Sequence, residues 1–388
     1  MLVKTLTVVY NINDVRTSST RSIHVNEQTK YAALKNYLKQ QIIMGRMKAG
    51  ERIPSENELC DDFSVSRHTV RKAISLLVAE GYLFTEHGRG TYVKDRSINR
   101  AKSRNIGVLT TYISDYIFPR VIQGIDTVLS QRGYSIMLKN TDNNVAKETM
   151  YLEEVLSKDL EGLIIEPTKS ALYSNNADYY KALDIQHIPY IFIHGCYQHL
   201  KGKSQVILDD AHGMYLAVSH LLKLGHKNIA GIFKADDMQG INRHHGYVKA
   251  LSEAGMPYDS RKVIWFHTED RKIKPSSEIR NLIGMGLTLD SIACYNDEIA
   301  FSIYQTLIEQ GLKVPDDISI TGFDDSHIAS SCPVRLTTVV HPKEKLGETA
   351  AELLLELLED SDYLNNPREK VFMPELVAGD SCINRNKE

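Results

Sequence analysis

The sequence predicts an α/β protein in two parts: a small helical module ending in a hairpin, then a large domain built on parallel sheets. Three observations predict this. Apolar residues recur at helical spacing from Lys30 to Glu80 and give way to a glycine-flanked hairpin before Val93. From Asn105, short apolar runs alternate with amphipathic stretches, the pattern of strands joined by crossover helices. Charge is also uneven: Lys30 to Arg104 holds 15 Lys+Arg against 8 Asp+Glu, although the 388-residue chain has a net charge of -3. A basic small end on an acidic large end suits a nucleic-acid reader with a separate sensor.

Composition bounds the class. A hydrophobic content of 42% supports real cores and excludes wholesale disorder. No apolar run approaches the roughly 18–20 residues of a membrane helix, and Met1–Gln28 lacks the basic start and apolar centre of a secretion signal. The five cysteines are scattered, with no CxxC pair, which argues against a disulfide framework or zinc site and fits a reducing cytoplasm. The expected organisation is an N-terminal extension (1–28), a small domain (29–94), a polar linker (95–104) and a large domain (105–388).

In the small domain, Tyr31, Leu34, Leu38 and Ile42 form the buried face of a first helix that stops at Gly45. Ser55 with Glu58 makes a capping box that opens a second helix, closing near Phe63. Ser66 caps a third, Arg67–Glu80, whose buried stripe is Val70, Ile74, Leu77 and Val78. Two short strands, Tyr82–Thr85 and Thr91–Val93, flank the turn His87-Gly88-Arg89-Gly90. Helix, helix, tight turn, helix and hairpin is a winged helix-turn-helix. Its third helix fits a major groove, where the planar forks of Arg67 and Arg71 match guanine O6 and N7. Lys30, His68, Thr69, Lys72 and the N–H of Ser66 are placed for phosphate or secondary contacts, and the wing residues His87, Gly88 and Arg89 for a minor groove. The run ERIPSENELCDDFSVSRHTVRKAISLLVAEGYLFTEHGRGTYV closely resembles the GntR family of bacterial regulators over about 65 residues. That resemblance adds Ser55 and Glu56, in the family's Pro-Ser-Glu helix start, to the expected DNA-binding set.

The large domain offers strand candidates at Ile106–Leu109, Ser135–Lys139, Gly162–Ile165, Tyr190–Ile193, Asn228–Phe233, Ser291–Cys294 and Ile318–Phe323. Helical stretches such as Phe118–Arg132 and Glu298–Gln310 lie between them. Neither GxGxxG nor GxxxxGKS follows the first strand, so no nucleotide cofactor is expected. The pairs Asp209-Asp210, Asp236-Asp237 and Asp324-Asp325 read as helix caps and loop ends rather than catalytic carboxylates. His244-His245 and His220…His226 lack zinc-site spacing and read as surface residues. Trp265, Phe266 and His267 fit core packing or a stacking wall equally.

Segments such as NIGVLTTYISDYIFPRVIQGIDTVLSQRGY, INRHHGYVKAL and ACYNDEIAFSIYQTLIEQGLKVPDDISITGFDDS resemble the LacI-type, periplasmic-binding-protein-like sensor domain, in order, over about 270 residues. The resemblance implies two lobes around a small molecule, usually a sugar or purine. It places ligand contacts at Tyr112, Asp115, Tyr116, Phe118, Glu166, Arg243, Asn296 and Asp324, a donor, acceptor and aromatic set suited to sugar hydroxyls and a pyranose face. Runs such as KYA, VSRHT and FKADDMQGINR resemble the group of regulators that joins both domains and responds to L-arabinose; His87 and the N-terminal extension depart from it. The expectation is a homodimeric repressor on a pseudo-palindromic operator, released by a small sugar. A sugar-modifying enzyme, a transport-associated binding protein and an activator are the competing readings.

Overall fold

The computed structural model describes residues 27–97, 103–114 and 116–386. The extension 1–26 and much of the polar segment 95–104 therefore lie outside the described residues. The small unit holds helices α1 (Glu27–Ile43), α2 (Glu56–Phe63) and α3 (Arg67–Ala79) and the antiparallel hairpin β1 (Leu83–Glu86) and β2 (Gly90–Val93). Leu34, Leu38, Leu59, Val70 and Leu77 form its core. Ser55 accepts from the Glu58 N–H while the Glu58 carboxylate accepts from the Ser55 N–H, the expected capping box. Val78 departs from the predicted stripe: it is 37% exposed, because Ala73 rather than Val78 completes the buried face of α3. At the hairpin, Gly88 and Gly90 hold φ of 74° and 133°, values that favour glycine.

The large unit contains two parallel sheets. The first lobe comprises β3 (Asn105–Thr110), α4 (Phe118–Gln131), β4 (Ser135–Asn140), α5 (Val145–Ser157), β5 (Gly162–Ile165), α6 (Ala177–Ile185), β6 (Tyr190–Ile193) and β7 (Gln205–Leu208). The chain then crosses to the second lobe: α7 (Asp210–Lys223), β8 (Ile229–Lys234), α8 (Met238–Glu253), β9 (Val263–Phe266), α9 (Lys274–Gly284), β10 (Ser291–Cys294), α10 (Asp297–Glu309) and β11 (Ser319–Thr321). After α11 (His327–Ser331) and β12 (Thr338–Val339), α12 (Lys343–Glu359) and β13 (Glu369–Phe372) return to the first lobe, and β14 (Leu376–Val377) pairs with β12. The sheet orders are β13-β7-β6-β5-β3-β4 and β11-β10-β8-β9, every pairing within them parallel. The bounds of β5, β6 and β10 match the sequence reading to the residue; β7, β9 and β13 are additional strands.

Close helix contacts are made at glycine. A Cβ on Gly347 of α12 would collide with the Val121 carbonyl of α4, and one on Gly124 of α4 with the Glu344 carbonyl. Neither backbone has room to retreat in a close-packed lobe, so Gly347→Ala is expected to cost about 2–3 kcal/mol of stability. Urea unfolding of the variant checks this.

His226 corrects the surface reading of the histidines. It is buried, its Nε2 lies 3.2 Å from the Ile383 carbonyl and its Nδ1 stands 3.3 Å from Asp290. Burial alone would raise the Asp290 pKa, but His226 and the N–H groups of Lys227 and Asn228 outweigh it and hold the carboxyl at about 2. A lowered folded pKa stabilises fully above the unfolded value near 4 and is lost as pH falls through 2. Asp290→Asn is therefore expected to lose about 1–2 kcal/mol near neutrality, with the gap to the parent closing below pH 4 in urea titrations.

Candidate functional site

The small unit presents a polar face at the start of α3. Ser66 caps the helix, accepting from the Thr69 N–H, and shares a 2.8 Å hydrogen bond with the Thr69 hydroxyl. Thr69 is 4% exposed, its hydroxyl engaged with the cap. Arg67 and His68 are exposed. Arg71 is also exposed, and its Nε takes both oxygens of Glu56 at 3.0 and 2.9 Å, so α2 aims the arginine. Lys72 lies 4.1 Å over the Tyr31 ring, and Lys30 is exposed on α1. On the wing, His87, Gly88 and Arg89 are exposed, with Arg89 3.5 Å from Glu86. Thus the helix start and the wing tip carry the predicted polar residues within one unit.

In the large unit a cleft lies between the lobes, at the carboxyl ends of the strands, where open α/β sheets bind ligands. Tyr112, Tyr116, Phe118, Glu166, Arg243, Asn296 and Asp324 all line it; Asp115 lies outside the described residues. Tyr112 and Phe118 form an apolar wall, their ring centres 5.6 Å apart, and Arg271 covers the Tyr112 ring at 4.9 Å.

The polar residues are bound to one another as well as facing the cleft. Arg243 donates from Nε to Asp210 at 2.8 Å, from Nη1 to the Tyr295 carbonyl at 2.7 Å and from Nη2 to Asp324 at 3.3 Å, with Phe323 beneath its plane at 3.6 Å. Burial, only partly offset by Arg243, pushes Asp210 up to about 6. Of the three aromatic candidates for the sugar face, Tyr116 is tied down by its hydroxyl. Its hydroxyl crosses from the first lobe to donate to Asp324 at 2.7 Å and accepts from the Asp297 N–H at 3.2 Å. Asn296 uses Oδ1 to cap α10. Glu166 accepts from both the N–H and hydroxyl of Thr111 and meets His194 Nδ1 at 3.1 Å; these contacts hold its pKa low against the burial that would raise it. The Asp324 φ of 96° marks a strained turn at the centre of this network.

Away from the cleft floor the lobes are also latched. Asn143 donates to Thr268 at 2.6 Å, the Met238 N–H to Ser170 at 2.9 Å, and Lys169 pairs with Glu269 and with Asp236 at 3.8 Å. The lobes are therefore closed upon each other. Lys169→Ala is expected to favour the open form and raise the ligand concentration for half-saturation several-fold, which calorimetric titration measures.

Sequence reasoning missed Asp210, His194, His341, Lys234, Asp237 and Tyr295. The paired aspartates were the available signal: in Asp209-Asp210 the first residue caps α7 and the second turns inward to Arg243. Trp265 packs against Phe233 and His244 in the lobe core, whereas Phe266 borders the cleft. Among the described residues, no cluster of His, Cys, Asp or Glu is placed to hold a metal ion, and no helix is long and apolar enough to cross a membrane.

Comparisons with known proteins identify both parts of the chain. Residues 30–93 match the family described as bacterial regulatory proteins, gntR family, and residues 218–382 match the periplasmic binding protein-like domain. The chain is 40% identical to an arabinose metabolism transcriptional repressor of Geobacillus stearothermophilus, over 91% of this chain and 97% of that protein. It is 38% identical to a protein of the same description from Halalkalibacterium halodurans, over 93% and 98%. Among solved structures, a ribose-bound LacI family regulator from Enterococcus faecium matches with TM-score 0.60 and 27% identity, covering 72% of this chain and 99% of that one. The transcription regulator CcpA of Lactococcus lactis matches at 0.63 and 25%, over 72% and 98%.

Fold and relatives define a DNA-binding transcription repressor with an effector-binding sensor domain; its relatives are transcription regulators rather than enzymes. The chain belongs to the same family as the two repressors above: gntR-type regulators carrying a periplasmic-binding-protein-like, LacI-type domain.

Proposed function

We propose that this repressor acts in the cytoplasm as a homodimer on a pseudo-palindromic operator of sugar-utilisation genes and is released from it by L-arabinose. The observation that carries the effector is the cleft. Arg243 and Asn296 supply donors and Glu166 and Asp324 acceptors around a Tyr112–Phe118 wall, a set suited to the hydroxyls and apolar face of a sugar. Both closely related repressors are described as controlling arabinose metabolism.

Residues 29–94 read DNA, Arg67 and Arg71 contacting guanine edges and Ser55, Glu56, Ser66, His68, Lys72 and Lys30 fixing the helix on the backbone. His87, Gly88 and Arg89 approach the minor groove from the wing. A two-fold dimer matches two half-sites. Residues 105–388 bind the sugar between the lobes, and the sugar biases DNA binding through its differential affinity for two states of the repressor. By linkage, operator DNA weakens sugar binding as much as sugar weakens operator binding, typically by about 5–150-fold.

The test is binding of a labelled palindromic operator at fixed salt, with and without millimolar L-arabinose, D-xylose or D-ribose. Release by L-arabinose alone is the expected result. Tight operator binding indifferent to L-arabinose would remove it as the effector.

A further inference from the structure

The sugar cleft is not the only ligand-sized cavity of the sensor unit. A second, of about 280 Å³, lies beside it where β6, β7, α7 and α8 approach one another at the crossing between lobes. His194, Gln198, Lys201, Gln205, Asp210 and Asn242 supply its polar lining, with Leu208 and Met238 as apolar wall. His194 is 4% exposed and borders this cavity while its Nδ1 meets Glu166 at 3.1 Å.

We infer that this second cavity is a binding site for another neutral polyhydroxylated molecule, an aldose or alditol of pentose size. The lining selects that chemistry. Three of its polar groups, Gln198, Gln205 and Asn242, are uncharged amides; Gln205 donates to Glu369, which leaves Gln198 and Asn242 to donate and accept together as vicinal hydroxyls require. Asp210 already faces Arg243, leaving Lys201 as the one cation of the lining, which is poor provision for a phosphorylated sugar. Leu208 and Met238 meet the C–H face that every such molecule also presents.

The two cavities have separate linings that touch through two bonded pairs. His194 bonds Glu166 on the cleft side, and Asp210 bonds Arg243, so two buried pairs form the partition between the cavities. A molecule in the second cavity lies against one member of each pair, so the two sites are expected to be coupled, an expectation that rests on the cleft being the effector site.

Equilibrium dialysis of the full chain with labelled L-arabinose, from micromolar to 50 mM, tests this. Two molecules per chain are expected, the second bound weakly and displaced by excess D-xylose or ribitol. Asn242→Leu and, independently, the exposed Gln198→Leu fill or strip the second cavity without touching the cleft, and each is expected to reduce the stoichiometry to one. A stoichiometry of one in the parent, with no effect of D-xylose or ribitol on arabinose affinity, overturns the second site. If L-arabinose does not bind at all, the effector reading falls instead; D-xylose or ribitol held by the parent but not by Asn242→Leu would then still carry the second site, and binding of neither overturns it.

Discussion

Arg71→Ala is expected to reduce operator affinity by about 5–150-fold at fixed salt, while binding of sugar to the sensor unit is unchanged. Glu56 holds Arg71 through Nε alone, which leaves the two Nη groups, the prongs that match guanine O6 and N7, on an exposed side chain. The pair with Glu56 is itself exposed and contributes little to stability, so the loss falls on recognition rather than folding. Arg71→Lys should not restore binding, because an ammonium keeps the charge and loses the fork. Glu56→Gln is the complementary probe: it keeps the reader and loosens its aim, and a smaller loss is expected. Gel-shift titrations on operators altered at one guanine at a time measure all three. An Arg71→Ala protein that still prefers the parent operator over single-guanine variants would place base reading elsewhere on α3.

The reader was legible from the sequence because its signals are local. The capping box Ser55–Glu58, the cap at Ser66 and the glycines of the wing each act within a few residues, and each is found where the pattern puts it. The same holds for β5, β6 and β10, fully buried apolar runs between polar breaks. What escaped is what depends on distant pairing. β13 is a partly exposed edge strand of mixed composition, and it becomes a strand because α12 delivers it alongside β7 from more than 150 residues away in the chain. His226 looked like a surface residue because nothing near it announces that Asp290 and the C-terminal Ile383 will cover it. In the cleft, Arg243, Asn296 and Asp324 stood in recognisable segments, but their partners did not. Tyr116 is oriented by Asp324, 208 residues later, so its lobe-bridging hydroxyl was invisible until the lobes were closed.

Arg243→Ala is expected to abolish release by sugar and also to cost about 3–5 kcal/mol of sensor stability, two effects with one origin. The guanidinium is 3% exposed and is shared by Asp210 and Asp324, two buried carboxylates that its removal leaves without a counter-charge. A variant that merely lost a ligand contact would bind sugar weakly and unfold normally. Here the same side chain ties α8 to the start of α7 and to the Asp324 turn, and through Asp324 to Tyr116 of the other lobe. Ligand contact and lobe closure therefore cannot be separated at this residue. Arg243→Ala/Asp210→Asn should recover part of the stability by removing one orphaned charge, yet should not recover sugar response, because the donor that faces the cleft is still missing. Thermal melts with calorimetric L-arabinose titrations distinguish these outcomes. The reader domain has its own core, so operator binding in the absence of sugar is expected to survive in both variants at temperatures below the sensor's unfolding. Parental stability together with normal release in Arg243→Ala would mean that the buried triad is neither the effector contact nor the closure element.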